Sequence, residues 1–148
     1  MLLEKIHELW ETDAKIDISD IGGETLKISQ LHSKYFKILN SERKNLAKKN
    51  SELSILKIDK ISFYTNGASK EDLAKGWIYP KNAPNGKIIK SDVSLYLDAD
   101  KELIEIKLEI AELEEKIDLL KSILDTIIKR SFVINTYVSH LKFINGVD

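Results

Sequence analysis

The chain reads as an all-α protein: a short N-terminal helix and two long antiparallel helices joined by a long loop, oligomerising through coiled-coil-like packing. Three observations predict this. From Glu24 onward apolar residues recur with helical spacing, uninterrupted by proline for about forty residues, or about 60 Å of helix. From Leu103 to Leu141 a second apolar row steps by three and four. Between the two, residues 67–90 hold both prolines and three of the six glycines, the chemistry of a connection. The 148 residues suit a single helical domain: a short helix over 1–16, a basic long helix over 24–66, a connecting loop over 67–97 and a heptad long helix over 98–145.

The first element, "LLEKIHELW", carries Leu2, Ile6, Leu9 and Trp10 on one side. "KIDISDIGGE" interrupts it, because Gly22-Gly23 makes a poor helix interior. The first long helix then shows Ile28, Leu31, Tyr35, Ile38, Leu39, Leu46, Leu53, Leu56 and Phe63 as its apolar stripe, and Asn66-Gly67 is suited to end it. In the connection, Trp77, Ile78 and Tyr79 are candidate anchors. "KIIKSDVSLYLDAD" reads equally as a strand or as a helix starting at Asp92, and Asp98 and Asp100 suit N-terminal caps. The heptad row comprises Leu103, Ile106, Ile110, Leu113, Ile117, Leu120, Leu124, Ile127, Ser131, Ile134, Val138 and Leu141, and all but Ser131 are apolar. Those apolar positions are the predicted oligomer interface. A second row, Ile104, Leu108, Leu119, Ile123, Phe132, Val133 and Tyr137, widens the apolar face beyond what one partner helix covers. Self-association follows, unless the short helix of an intramolecular hairpin covers that row.

Composition excludes several classes. With no cysteine, disulfides and thiolate metal sites are absent, which suits a reducing compartment. The N-terminus lacks the apolar core of a signal peptide, and no run approaches a membrane span. "GGETLK" is not a phosphate-binding loop, and "HELWE" lacks the second histidine of a zinc-protease helix. His32 and His140 stand alone on helical segments, and Glu112, Glu114 and Glu115 read as a solvated helix face. No catalytic residue, metal site or cofactor is expected, and the chain is not read as an enzyme.

Charge is more informative. The net charge of −1 conceals segregation: residues 1–26 balance to −5, 27–60 to +6, 61–96 to +2, 97–126 to −6, and the remainder to +2. Within the basic segment Lys37, Arg43, Lys44, Lys48, Lys49, Lys57 and Lys60 lead up to the pair Phe63 and Tyr64. Lysines neutralise phosphates without reading sequence, and an aromatic ring beside them can stack on an unpaired base. This is a layout for single-stranded nucleic acid, with Phe63 the expected core residue and Tyr64 the expected outward stacker. The same residues also fit a merely solvated helix whose apolar stripe ends at Phe63.

Four stretches, "KIDISDI", "KISFYTNGAS", "SLYLDADKEL" and "IIKRSFVINTYVSHLKFING", occur in an order and spacing that resemble the UvsY family of recombination mediators of T-even-like phages and cyanophages. The resemblance covers almost the whole chain. It implies non-specific binding of single-stranded DNA, a homo-oligomeric ring of roughly six to eight subunits, and a location in the host cell cytoplasm. It further implies partnership with a RecA-like recombinase, which the protein helps to load onto strands coated by a single-strand-binding protein, and no covalent chemistry. Carried over by position, the family's basic-aromatic motif falls on Lys60, Phe63 and Tyr64, while its other basic position holds Ile58 here and Lys57 is the neighbouring cation. Two alternatives stand beside this reading: a structural coiled-coil or scaffold protein without DNA affinity, and an adaptor that binds only proteins through its acidic N-terminus.

Overall fold

The computed structural model describes residues 1–81, 83 and 88–146. Among them the chain is helical, with no strand. The elements are α1 (Leu3–Asp13), α2 (Ile21–Asn66), α3 (Lys70–Ala74), α4 (Val93–Asp98), α5 (Lys101–Ile128) and α6 (Arg130–Ile144). They form two compact units, Met1–Asn45 with Glu112–Asp148, and Leu46–Ala111. No helix among the described residues is long and apolar enough to cross a membrane.

The diglycine does not delay the first long helix: α2 starts at Ile21, ahead of the Glu24 that the glycine argument predicts. Gly22 and Gly23 occupy its first turn, where backbone N–H groups have no intrahelical partner anyway. The Asp20 carboxylate accepts a hydrogen bond from the Gly23 N–H at 3.1 Å, satisfying one of those donors. A Cβ on Gly23 would lie 2.1 Å from that carboxylate, so the absent side chain makes room for the cap.

In the first unit Ile6, Tyr35, Leu39, Leu120 and Ile127 are at most 3% exposed. Trp10 of α1 meets Tyr35 of α2 edge-on, with ring centroids 5.6 Å apart. The Tyr35 hydroxyl donates to Asp13 at 2.8 Å, and the Lys34 ammonium donates to the same carboxylate. Burial opposes ionisation of Asp13, but the hydrogen bonds from Lys34 and Tyr35 outweigh it and hold this carboxyl below its ordinary range.

The heptad helix is one run in the sequence pattern and two in the structure. α5 ends at Ile128 and α6 begins at Arg130, giving a bent C-terminal rod. At that junction Arg130 is buried. Its guanidinium donates to the carbonyls of Asp13 and Ala14 at 2.8 and 3.2 Å and lies 3.9 Å from the Glu24 carboxylate. It thus satisfies carbonyls at the C-terminal end of α1. That anchor is polar and long-range, so apolar periodicity carries no trace of it.

The fate of the heptad row is a second correction. Leu103, Ile110, Leu113, Ile117, Leu120, Leu124, Ile127 and Ile134 are buried inside the protomer, Ile106 and Val138 are half-buried, and only Leu141 is exposed. Most of the predicted oligomer seam is therefore consumed by the chain's own core. The second row is what reaches solvent, at Ile104, Leu108, Phe132 and Val133, whereas its member Ile123 is buried.

In the second unit α2 and α5 run antiparallel: Lys49 pairs with Glu109 and, eleven residues further along α2, Lys60 pairs with Asp100. The connection, predicted as a long loop, contains two short helices. Gly67, at φ +86°, ends α2, and Ser69 and Asp72 form a reciprocal capping box on α3. Phe63, Tyr64, Trp77, Ile88 and Val93 form the buried cluster, flanked by Leu56, Tyr79, Ala83, Tyr96 and Leu97. Ile78, a candidate anchor by sequence, is 81% exposed. Residues 82 and 84–87 of the predicted loop lie outside the described residues.

Candidate nucleic-acid interface

The nine residues singled out on the basic helix fall into two groups. Lys37, Arg43, Lys44, Lys48 and Lys57 are exposed on α2, and none of them forms an ion pair among the described residues. Lys37, Arg43 and Lys44 belong to the first unit, Lys48 and Lys57 to the second. A cation without a local partner is the kind that exchanges its counterion for a phosphate.

Lys49, Lys60, Phe63 and Tyr64 are engaged within the protomer. Lys49 is half-buried between Glu109 at 2.6 Å and Glu52 at 3.1 Å, and these bonds, Glu109 first, raise its pKa. Lys60 is 4% exposed. Its ammonium lies 3.0 Å from Asp100, 3.6 Å from Glu102 and 3.9 Å from the centre of the Trp77 ring. Phe63 is 1% exposed and stacks edge-on against Tyr64, Trp77 and Tyr79.

Tyr64, expected to face outward, faces inward at 7% exposure. Its hydroxyl donates to Asp100 at 2.5 Å. Burial first, and then that bond, push the phenol well above its ordinary pKa. Burial also opposes ionisation of Asp100, but bonds from Tyr64, the Leu103 N–H and Lys60 prevail and hold the carboxyl below its usual range. The reason for the reversal is the connection, which folds back to lay Trp77 and Tyr79 on the Phe63 ring and Tyr96 against Tyr64. The Tyr79 hydroxyl donates to the Tyr64 carbonyl at 2.9 Å and accepts from the Ile88 N–H at 3.1 Å.

Sequence reasoning missed one residue of chemical interest on α2. Phe36 is 43% exposed, directly beside Lys37. It falls outside the apolar stripe, and that position off the stripe is the signal that it points away from the core. Among the described residues no group of three or more His, Asp or Glu side chains is placed to hold a metal ion. The arrangement offers exposed cations without local partners among the described residues of an all-helical scaffold, an attribute of polyanion-binding proteins.

The comparisons agree with that class. The family model for "Recombination, repair and ssDNA binding protein UvsY" matches residues 9–147, and the chain belongs to the UvsY family. No curated protein sequence matches it. Crystal structures of the bacteriophage T4 recombination mediator protein UvsY are similar in fold. One lattice form superposes with a TM-score of 0.78 at 21% identity, covering 98% of each chain. A second gives 0.77 at 19% identity over 97% of this chain and 98% of that one.

Proposed function

We propose that this protein is a recombination mediator. It binds single-stranded DNA without sequence preference through the exposed cations of α2, assembles into a ring, and helps a RecA-like recombinase load onto strands coated by a single-strand-binding protein. The observation that carries the DNA-binding part is the set Lys37, Arg43, Lys44, Lys48 and Lys57, exposed and unpaired among the described residues of a chain whose net charge is −1. Membership of a family described as binding single-stranded DNA supports the same conclusion.

Ring assembly draws support from the apolar surface left uncovered. The second unit exposes Ile55 and Ile58 on α2, and Ile104 and Leu108 on α5, at 40–68%. Exposed apolar side chains on both helices offer a surface for a second copy, and a heterologous, head-to-tail contact there whose rotation closes generates a ring. A ring turns feeble single grips into a strong one, because the second and later contacts become intramolecular. A strand held along such an assembly bends, fits poorly in the track of a coating protein, and is presented to the recombinase.

Fluorescence anisotropy of labelled oligothymidylate across a salt series tests the binding step. The reading expects affinity that falls with salt by about 0.7 log units per phosphate neutralised. Recombinase loading on strands coated by single-strand-binding protein, with and without the chain, tests the mediator step. Absence of strand binding in dilute buffer would leave a structural helical protein.

A further inference from the structure

The loss of Tyr64 to the interior leaves the basic helix without its expected stacking ring. α2 carries four Phe and Tyr residues, of which Tyr35, Phe63 and Tyr64 are at most 7% exposed. Phe36 alone among them reaches solvent. It does not stand as a lone ring: His32, one turn earlier, lies nearly parallel to it, 17° between planes and 5.8 Å between centroids. That is an offset stack, which holds the phenyl ring while 43% of the residue remains open.

The surroundings of this pair, all within the first unit, are cationic. Lys37 follows it directly. Arg43 lies seven residues on, which brings it back to the same side of the helix about 10 Å further along, and Lys44 bears the same relation to Lys37. All three are exposed. The other strongly exposed aromatics, Phe132 and Phe143, sit instead on α6 among Ile128, Val133 and Ile144, an apolar neighbourhood with Lys142 as its free cation among the described residues.

We infer that Phe36, stacked on His32 and followed along α2 by Lys37, Arg43 and Lys44, is a platform for an unpaired nucleobase of the bound strand. The inference rests on the proposed single-strand binding. The phenyl face extends the existing His32–Phe36 stack by one base, while Lys37 beside it and Arg43 and Lys44 about two turns further along α2 take phosphates of the same strand. Every base has a π-face, so this contact adds affinity without adding sequence preference.

The test compares labelled oligothymidylate with an abasic strand of equal length, on the full chain and on F36A and F36L. The wild-type chain binds oligothymidylate about tenfold tighter than the abasic strand. F36A and F36L bind oligothymidylate only as tightly as the wild type binds the abasic strand, are indifferent to removal of the bases, and keep the wild-type salt slope. Equal wild-type affinity for the two strands overturns the platform while leaving phosphate binding intact. So does an F36L chain that still prefers the strand with bases. Binding of neither strand by the wild type overturns the proposed function itself. Sedimentation of F36A covers the remaining source of an effect: a loss of assembly that weakens both strands equally assigns Phe36 to a subunit contact and also overturns the platform.

Discussion

Lys60 and Asp100 face each other at 3.0 Å in the second unit, and each side chain is only 5% exposed. The pair is not isolated. Asp100 also accepts from the Tyr64 hydroxyl and from the Leu103 N–H, so one carboxylate ties the end of α2 to the start of α5. Removing one partner of a buried pair strands the other charge, at a cost of about 3–5 kcal/mol. K60A should therefore lower unfolding stability by that amount in urea titrations, whereas K44A, at an exposed and unpaired position, should change it by less than about 0.5 kcal/mol. Similar midpoints for the two variants would mean that Lys60 is as solvated as Lys44.

The same cluster sets a pH dependence at both ends of the range. Asp100 has its folded-state pKa held below 3.8. Its contribution to stability is complete above that value and is lost as pH falls below it, because the unfolded chain then takes up the proton first. Tyr64 has its folded-state pKa raised above 10.0. Its contribution is complete below pH 10 and declines above it, where the unfolded chain loses the proton first. Chemical denaturation at a series of pH values should show both limbs. D100N, which retains a capping side chain, should flatten the acid limb, and Y64F the alkaline one.

Strand binding should follow exposure rather than the sequence motif. Charge reversal at Lys37, Lys44 and Lys48 should abolish binding at moderate salt and leave the assembly's mass unchanged, since none of these lysines holds another residue in place. Replacing the same three by alanine should reduce the salt slope of log affinity by about 2, at roughly 0.7 per phosphate contact. Anisotropy titrations at four or five salt concentrations measure this. An unchanged slope would move the interface off α2.

The helices were legible because the buried faces repeat at short range: Tyr35 and Leu39, or Leu120, Leu124 and Ile127, declare themselves within a turn or two. The bend at Lys129 and the inward turn of Tyr64 were not legible. Each depends on a partner far along the chain, Asp13 and Ala14 for Arg130, Asp100 for Tyr64. Trp77 and Asp100 could be named individually as an anchor and a cap, but nothing local says that both would converge on Lys60. The candidate site divides in the same way. Lys37, Lys44 and Lys48 are recognisable because they lie off the apolar stripe, while Lys60 resembles them in sequence, since a lysine within that stripe becomes intelligible only once its acidic partners are in view. Phe36 obeys the same rule in reverse, an aromatic whose distance from the stripe marked it for the surface.

Assembly offers the sharpest contrast between the two apolar rows of the C-terminal rod. Leu120 is fully buried in the first unit, whereas Leu108 is 66% and Ile104 40% exposed in the second. L120A removes a core side chain and should cost about 2–5 kcal/mol of stability. The double variant I104S/L108S removes only surface that the protomer leaves uncovered, so its circular dichroism and unfolding midpoint should match the wild type. If that surface meets a second copy, sedimentation should show the variant dissociating at concentrations where the wild-type chain remains assembled. Because strand affinity multiplies over joined copies, binding of a long oligothymidylate should then weaken at least tenfold. A short oligomer that spans one protomer should bind as before. An I104S/L108S chain that keeps both its mass and its long-strand affinity would place the subunit contact elsewhere.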